Sequence, residues 1–355
     1  MEQTQAQKRL PKMNIMKQKF RLETELYIWR LYKHFPRTVV DNMDVKNVAT
    51  FLLDNLNYSS NEENIKEVSE KFQNIREYKI KLDALNAMPK IDQRTDEWYR
   101  LRQERLTGSD TAQALGRGKY GNRNQLIKKK ATEGSNSGGY SASSPPLRHG
   151  VMFEAMALRS YRQRIGDIVV HDFGLIPHPT LYCYGASPDG INDIGVMVEI
   201  KCPYSRVIDG TIPEQYKLQM LGQMAVCSLK ECDYIECDIK EYDSIQEYVD
   251  SVFDRIDHGV IFEIKEADKV KYIYSPEYAN VENVLKWTNE QKIIYEGKIK
   301  KICPWKLNKI EVQRVTYDEE LWNEIVPEIK SFWEEVLEAR KIAHKKYSIL
   351  EDPDD

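Results

Sequence analysis

Two short runs do most to limit how this chain can fold: Tyr184-Gly-Ala-Ser-Pro-Asp-Gly190 and, after a turn, Val196-Met-Val-Glu-Ile-Lys-Cys-Pro203. In a strand, successive side chains point to opposite faces, so Glu199 and Lys201 share one face while Val198, Ile200 and Cys202 form an apolar one. The apolar side needs a packed layer against it. A turn over Ile191 to Gly195 makes the two runs antiparallel and returns Asp189 to the side of Glu199. Two hard oxygen ligands then converge, a pairing that suits Mg²⁺ or Mn²⁺. Lys201 lies where it can position or deprotonate an attacking water. An isolated E-x-K triplet is usually an ordinary exposed pair and an aspartate before a turn only a turn residue. The Ser-Pro-Asp-Gly before this strand and the Cys-Pro after it set it apart.

The chain has 355 residues, 41% of them hydrophobic, enough to bury a substantial core. A formal net charge of -4 gives no overall attraction to a polyanion, so any such site must come from local clusters of Lys and Arg. Met1 to Met13 carries Lys8, Arg9 and Lys12 without an apolar signal core, and no apolar run is long enough to span a bilayer. The expectation is an intracellular protein without a membrane partner. Cys183, Cys202, Cys227, Cys232, Cys237 and Cys303 form no C-x-x-C pair and no zinc-type spacing, so they read as reduced structural thiols. An iron-sulfur centre would need four clustered thiolates, and Cys227, Cys232 and Cys237 have no matched fourth.

Residues 1–90 read as a helical N-terminal region, with apolar positions at Phe20, Leu22, Leu26, Trp29, Leu31 and Tyr32, then Val48, Phe51, Leu52 and Leu56. Asn61 before Glu62 and Glu63 predicts the capped start of a third helix through Ile65, Val68, Phe72 and Ile75. Lys17, Lys19, Arg21, Arg30, Lys33 and Arg37 could touch DNA, but read first as a solvated helix face. Residues 91–240 mix helix and strand signals and contain a Gly/Ser/Pro stretch, Gly134 to Pro146, expected to be a loop. In 241–355, strand-like runs at Val260 to Ile264 and Lys271 to Tyr274 alternate with long amphipathic helices near Glu277 to Lys298 and Asp318 to Lys345.

Several of these motifs together resemble the PD-(D/E)xK nucleases, and within them the phage lambda exonuclease and YqaJ-type viral recombinase group. Thr95-Asp-Glu-Trp-Tyr-Arg-Leu-Arg102 followed by Leu106-Thr-Gly-Ser-Asp110 is similar to that group's opening helix and turn. His149-Gly-Val-Met-Phe-Glu154 resembles its acidic helix, and Tyr216-Lys-Leu-Gln219 through Gln223 and Met224 its glutamine helix. The resemblance covers Thr95 to Asp238. It implies an α/β fold with a restriction-endonuclease-like core, a central mixed β-sheet flanked by helices; outside its borders the helical N-terminal region and the C-terminal α+β additions, expected to complete the nuclease domain, are read from the residue pattern alone. It further implies ligation of Mg²⁺ or Mn²⁺, as two ions, by Glu154, Asp189, Glu199 and the Ile200 carbonyl, with Lys201 and Gln219 near the attacking water. Read alone, Glu154 is a helix-surface acid beside the apolar stripe of Phe153, Met156, Ala157 and Tyr161, and Gln219 needs no special task on a helix with Leu218, Leu221 and Met224.

Arg102, Ser109 and Ser187 match positions that bind the terminal 5′-phosphate in lambda-type exonucleases. An arginine fork with two hydroxyls suits a phosphate monoester, although a surface arginine and a helix-capping serine would look the same in sequence. Arg117-Gly-Lys-Tyr-Gly-Asn-Arg123, leading into Lys128-Lys-Lys130, is a basic run without an acid and with Tyr120 interleaved. Arg117, Lys119, Arg123 and Lys128 either track a phosphate backbone or form a solvated helix end. The resemblance implies a metal-dependent 5′ to 3′ exonuclease on double-stranded DNA ends, acting in recombination or repair of viral DNA in the host cytoplasm or nucleus. It also suggests a homo-oligomer and a single-strand annealing partner. A RecB-like or structure-specific endonuclease shares the metal core, and a non-catalytic DNA-binding module would be expected to have lost a catalytic residue.

Overall fold

The computed structural model describes residues 3–119, 121–132, 144–252, 257–267, 269–277 and 279–348, and their side chains except within 3–15, at 269 and within 343–348. The chain opens with α1 (Gln3–His34), α2 (Arg37–Asp41), α3 (Val45–Asn55) and α4 (Glu62–Ala87). Asn61 caps α4 as expected, its Oδ1 accepting from the Asn64 backbone N–H at 2.8 Å. The helix then runs beyond Ile75 for three more turns. After α5 (Asp96–Gln103) come β1 (Leu106–Thr107), a 3₁₀ turn at Gly108–Asp110, α6 (Thr111–Ala114), α7 (Arg123–Ala131) and α8 (Pro145–Arg164). Pro145 and Pro146 occupy the first positions of α8, where a missing N–H costs nothing, so the expected loop ends before them. Its residues 134–143 lie outside the described residues, as does Tyr120.

The central part continues with β2 (Val170–His171), β3 (Ile176–Pro177), β4 (Tyr184–Ala186), β5 (Gly190–Asn192), β6 (Val196–Lys201), α9 (Glu214–Cys227) and β7 (Glu231–Glu241). The chain is completed by α10 (Ile245–Ser251), β8 (His258–Glu266), β9 (Lys269–Tyr274), α11 (Val281–Ile294), β10 (Ile299–Thr316) and α12 (Glu319–Ser348). Among the described residues a mixed sheet has the order β2-β5-β6-β7-β10-β8-β9, and a small sheet the order β1-β4-β3. In the large sheet β6 and β7 are parallel neighbours joined across α9, and the other pairings are antiparallel. This is the mixed α/β core, with helices on its faces, that the motifs implied.

β6 divides the interior in two. Val196, Val198, Ile200 and Cys202 pack into one cluster with Ile28, Trp29, Leu52, Leu53 and Phe72 from the first helices and with Phe153 and Tyr161 of α8. Met197, on the other face, joins Leu218, Leu221 and Met224 of α9, Leu126 of α7 and Phe332 and Trp333 of α12. The N-terminal helices therefore build one side of the same core. The β5–β6 turn is closed by Asn192, whose Oδ1 accepts from the backbone of Ile194 at 3.1 Å and Val196 at 2.9 Å. Gly195 turns there at φ +82°, with the Tyr78 ring so close that a Cβ would lie 2.5 Å from it.

β10 is a correction to the sequence reading. This 18-residue strand pairs with β7 along most of its length and with β8 at its start, well inside the sheet. Its charged residues and Pro304 break the apolar alternation that would announce it. None of the described helices is long and apolar enough to cross a membrane.

Candidate active site

The β5–β6 register sets Gly190 against Val198 and Ile191 against Met197, so its next step brings Asp189 to Glu199. Asp189 Oδ2 accepts from the backbone N–H of Ile200 at 2.7 Å. Glu199 is 1% exposed, and both its oxygens are engaged. Oε1 receives Gln219 Nε2 at 2.7 Å and lies 2.5 Å from Lys201 Nζ, while Oε2 receives Gln223 Nε2 at 2.9 Å. Lys201 also donates to Gln219 Oε1 at 3.3 Å and stands 4.6 Å above the centre of the Tyr216 ring. Gln219 and Gln223 are four residues apart on α9, one turn of a single face, and that face looks onto the polar side of β6.

Burial, and then the charges of Glu199 and Glu154, push the Asp189 carboxyl well above the usual carboxylate range. Lys201 and the Ile200 backbone N–H pull the other way without cancelling that rise. Lys201 moves the other way from a buried lysine: burial opposes its charge, but Glu199 and Asp189 outweigh that and raise its pKa. As it stands Lys201 is an ammonium, suited to holding an oxygen or offsetting charge. Glu154 lies on α8, half-exposed, with Oε2 paired to Arg94 Nη2 at 2.8 Å.

Among the described residues these carboxylates do not converge on a ready-made cation cage. Each is held by a different partner: Glu199 by the glutamines and Lys201, Asp189 by β6, and Glu154 by Arg94. The donor set is nonetheless all oxygen, and a buried Asp189 carboxyl beside Glu199 and Glu154 is a place that gains from a hard cation. Gln223 Oε1, buried and without a hydrogen-bond partner, adds a further oxygen at this place. The residues present fit such an ion.

Of the three residues expected to form a phosphate pocket, Arg102 and Ser109 meet directly and Ser187 is linked to them through Trp98. Arg102 Nη2 donates to Ser109 Oγ at 3.0 Å, and its guanidinium lies 4.4 Å over the Trp98 ring. Trp98 Nε1 in turn donates to Ser187 Oγ at 3.0 Å. Gly108, next to Ser109, is pressed onto α9: a Cβ there would come within 3.1 Å of Gln223 and 3.3 Å of the Gln219 carbonyl. The pocket and the acidic centre thus share one helix. Buried Lys130 steadies the pocket, donating to the Arg102 carbonyl at 2.7 Å and pairing with Asp110 at 3.0 Å.

The basic run is less free than its sequence implied. Arg117 pairs with Glu328 at 3.5 Å and Arg123 with Glu335 at 2.5 Å, both acids on α12, and Arg123 also covers the Phe332 ring. The backbone of Lys119 donates to Gln215 at 3.3 Å, and Lys128 is exposed. Arg117 and Arg123 thus dock α12, the acids having come from a part of the chain two hundred residues away. Sequence reasoning did not single out Trp98, Gln223, Tyr216 or Arg94. Trp98, Gln223 and Tyr216 stand inside the sequence motifs without a role assigned to them, and helical spacing from Gln219 was a usable signal for Gln223. Arg94 carries no pattern at all.

The sequence profile of the YqaJ-like viral recombinase domain matches residues 97–230. An uncharacterized protein of Acanthamoeba polyphaga mimivirus is 25% identical over a region covering 75% of this chain, and the match spans 56% of that protein's length. Among solved structures, the alkaline exonuclease LHK-Exo from Laribacter hongkongensis is similar at 21% identity and TM-score 0.46, covering 72% of this chain and 100% of that one. A phage-related exonuclease from Haemophilus somnus is similar at 11% identity and TM-score 0.38, over 68% of this chain and 96% of that one. The stretch similar to the YqaJ-like viral recombinase domain, residues 97–230, is the one that holds Glu154, Asp189, Glu199, Lys201, both glutamines and the Arg102 pocket.

Proposed function

We propose that the chain is a metal-dependent deoxyribonuclease that hydrolyses phosphodiesters from the 5′ ends of double-stranded DNA, in recombination or repair of viral DNA. The observation that carries this reading is the joining of two sites by α9: Gln219 and Gln223 hold Glu199, and the same turn of helix supports Gly108 beside Ser109. A phosphate held by Arg102, Ser109 and Ser187 is then one short step from Asp189.

Glu154, Asp189, Glu199 and the Ile200 carbonyl would hold Mg²⁺ or Mn²⁺. Bound there, a divalent cation supplies Lewis acidity and charge neutralisation for phosphoryl transfer. The protein's own groups do the rest. Arg102 binds the terminal phosphate with a planar fork that Trp98 keeps flat from behind. Gln219 accepts a hydrogen bond from Lys201 through Oε1 and donates one to Glu199 through Nε2, fixing the ammonium and the carboxylate relative to each other. Lys201 then orients the attacking water or offsets the charge that grows on phosphorus oxygens.

Digestion of linear duplexes labelled at either end, with Mg²⁺ or Mn²⁺, tests the proposal. Release of label from the 5′ end first, faster on phosphorylated than on dephosphorylated ends, is the expected result. Equal rates on both kinds of end would remove the phosphate pocket from the mechanism. Cutting of covalently closed circles would replace the exonuclease by an endonuclease on the same core.

A further inference from the structure

Arg94 itself has no part in the proposed reaction, yet its conformation and its pairing with Glu154 are well defined. Its φ is +67°, in the left-handed region that a side chain with a Cβ enters at a cost, and it stands immediately before Thr95, the N-cap of α5. The flanking residues are tied down: Gln93 donates to the Pro188 carbonyl at 3.4 Å, and Thr95 caps the Trp98 backbone at 3.2 Å. Held this way, the Arg94 guanidinium reaches Glu154 at 2.8 Å. The pair is 45% and 37% exposed, open to solvent and to exchange. Arg94 therefore occupies the one carboxylate of the acidic centre that the sheet and α9 do not already hold, and it does so from the turn that leads into α5, the helix that carries Arg102.

Resting on the proposed metal site, we propose that Arg94 is an internal counter-ion for Glu154 that a divalent cation must displace. Displacement frees a guanidinium beside Glu154, on the turn that leads into the Arg102 helix, where a DNA phosphate can take it. Cation and DNA end then each favour binding of the other, because both draw Arg94 and Glu154 apart. Arg94 is a positioning residue in this scheme. Without it Glu154 is free for a cation from the start, and the link to DNA is lost.

The test is Mn²⁺ binding followed by electron paramagnetic resonance, in a Lys201→Ala background so that DNA stays intact. Arg94→Ala and Arg94→Gly are expected to bind Mn²⁺ about 5- to 10-fold more tightly than the parent, and Arg94→Lys close to it, because the competing charge remains. A 5′-phosphorylated duplex should tighten Mn²⁺ binding in the parent and do so several-fold less in Arg94→Ala. Arg94→Gly also removes the backbone strain, so equal Mn²⁺ affinities of the Ala and Gly variants separate charge from stability. Parent-like Mn²⁺ affinity in Arg94→Ala, or an undiminished effect of the duplex, overturns the inference. If Asp189→Asn binds Mn²⁺ as tightly as the parent, the metal site itself has failed, a result distinct from an Asp189-dependent site that ignores Arg94.

Discussion

Glu199 keeps a carboxylate almost out of contact with water, and it is stable there because Gln219, Gln223 and Lys201 meet both of its oxygens. Lys201 is bound into the same arrangement, its charge reinforced by Glu199 and Asp189. Replacing Lys201 by alanine should lower turnover on the order of 10² to 10⁴-fold if it takes part in proton transfer, with DNA-end binding little changed. Single-turnover rates beside binding isotherms separate the two, and a Lys201→Ala protein with wild-type turnover would contradict the role. Arg102→Ala should act on the other site, bringing the rates on phosphorylated and dephosphorylated ends together while leaving the slower of the two nearly as it was. A preference for phosphorylated ends that survives this change would place the phosphate elsewhere.

At the scale of elements, α9 is the part on which both sites depend, and its fit against β4 is set by a single glycine. A Cβ at Gly222 would lie 1.9 Å from the Tyr184 hydroxyl, and Tyr184 is wholly buried and hydrogen-bonded to Thr111 at 2.6 Å. The ring has nowhere to go, so Gly222→Ala must push the helix outward. Overpacking of this kind costs roughly 1 to 3 kcal/mol. The expected outcome is a lowered melting temperature together with a loss of activity larger than stability alone explains, since Gln219 and Gln223 move with the helix. A variant that melts lower but cleaves normally would show that α9 can shift without disturbing Glu199. α12 matters in another way: through Glu328 and Glu335 it takes up Arg117 and Arg123, which the sequence alone offered to DNA.

Across the whole molecule, the N-terminal helices are tied to the sheet by a buried ion network. Arg314 on β10 pairs with Glu25 of α1 at 2.9 Å and with Asp233 of β7 at 2.7 Å, and Tyr161 of α8 donates to Asp233 at 2.7 Å. Burial pushes the Glu25 carboxyl up, but the charges of Arg314 and Lys71 outweigh it and hold it at about 2, below its ordinary 4.5. A lowered folded-state pKa means stability that is fully present above the unfolded value and is lost as pH falls from about 4.5 through about 2. That shift is worth on the order of 3 kcal/mol. Arg314→Leu should therefore destabilise the protein at neutral pH by roughly 3 to 5 kcal/mol, because Asp233 is left buried without its cation and Glu25 keeps only Lys71. Denaturant unfolding at pH 7 and pH 3 checks both statements, and an Arg314→Leu protein of normal stability at pH 7 would remove the network from the account. The sequence determined the parts of this molecule that depend on near neighbours. The β5–β6 turn, the shared face of Glu199 and Lys201 and the Asn61 cap follow from side-chain period and local hydrogen bonding, which a few consecutive residues specify. Only the tertiary structure decided that β10 lies inside the sheet, that Arg117 and Arg123 meet α12, that Gln223 completes Glu199 and that Arg94 covers Glu154. Those pairings join residues far apart in the chain, and their free energy comes from burial and charge that exist only once the layers have packed.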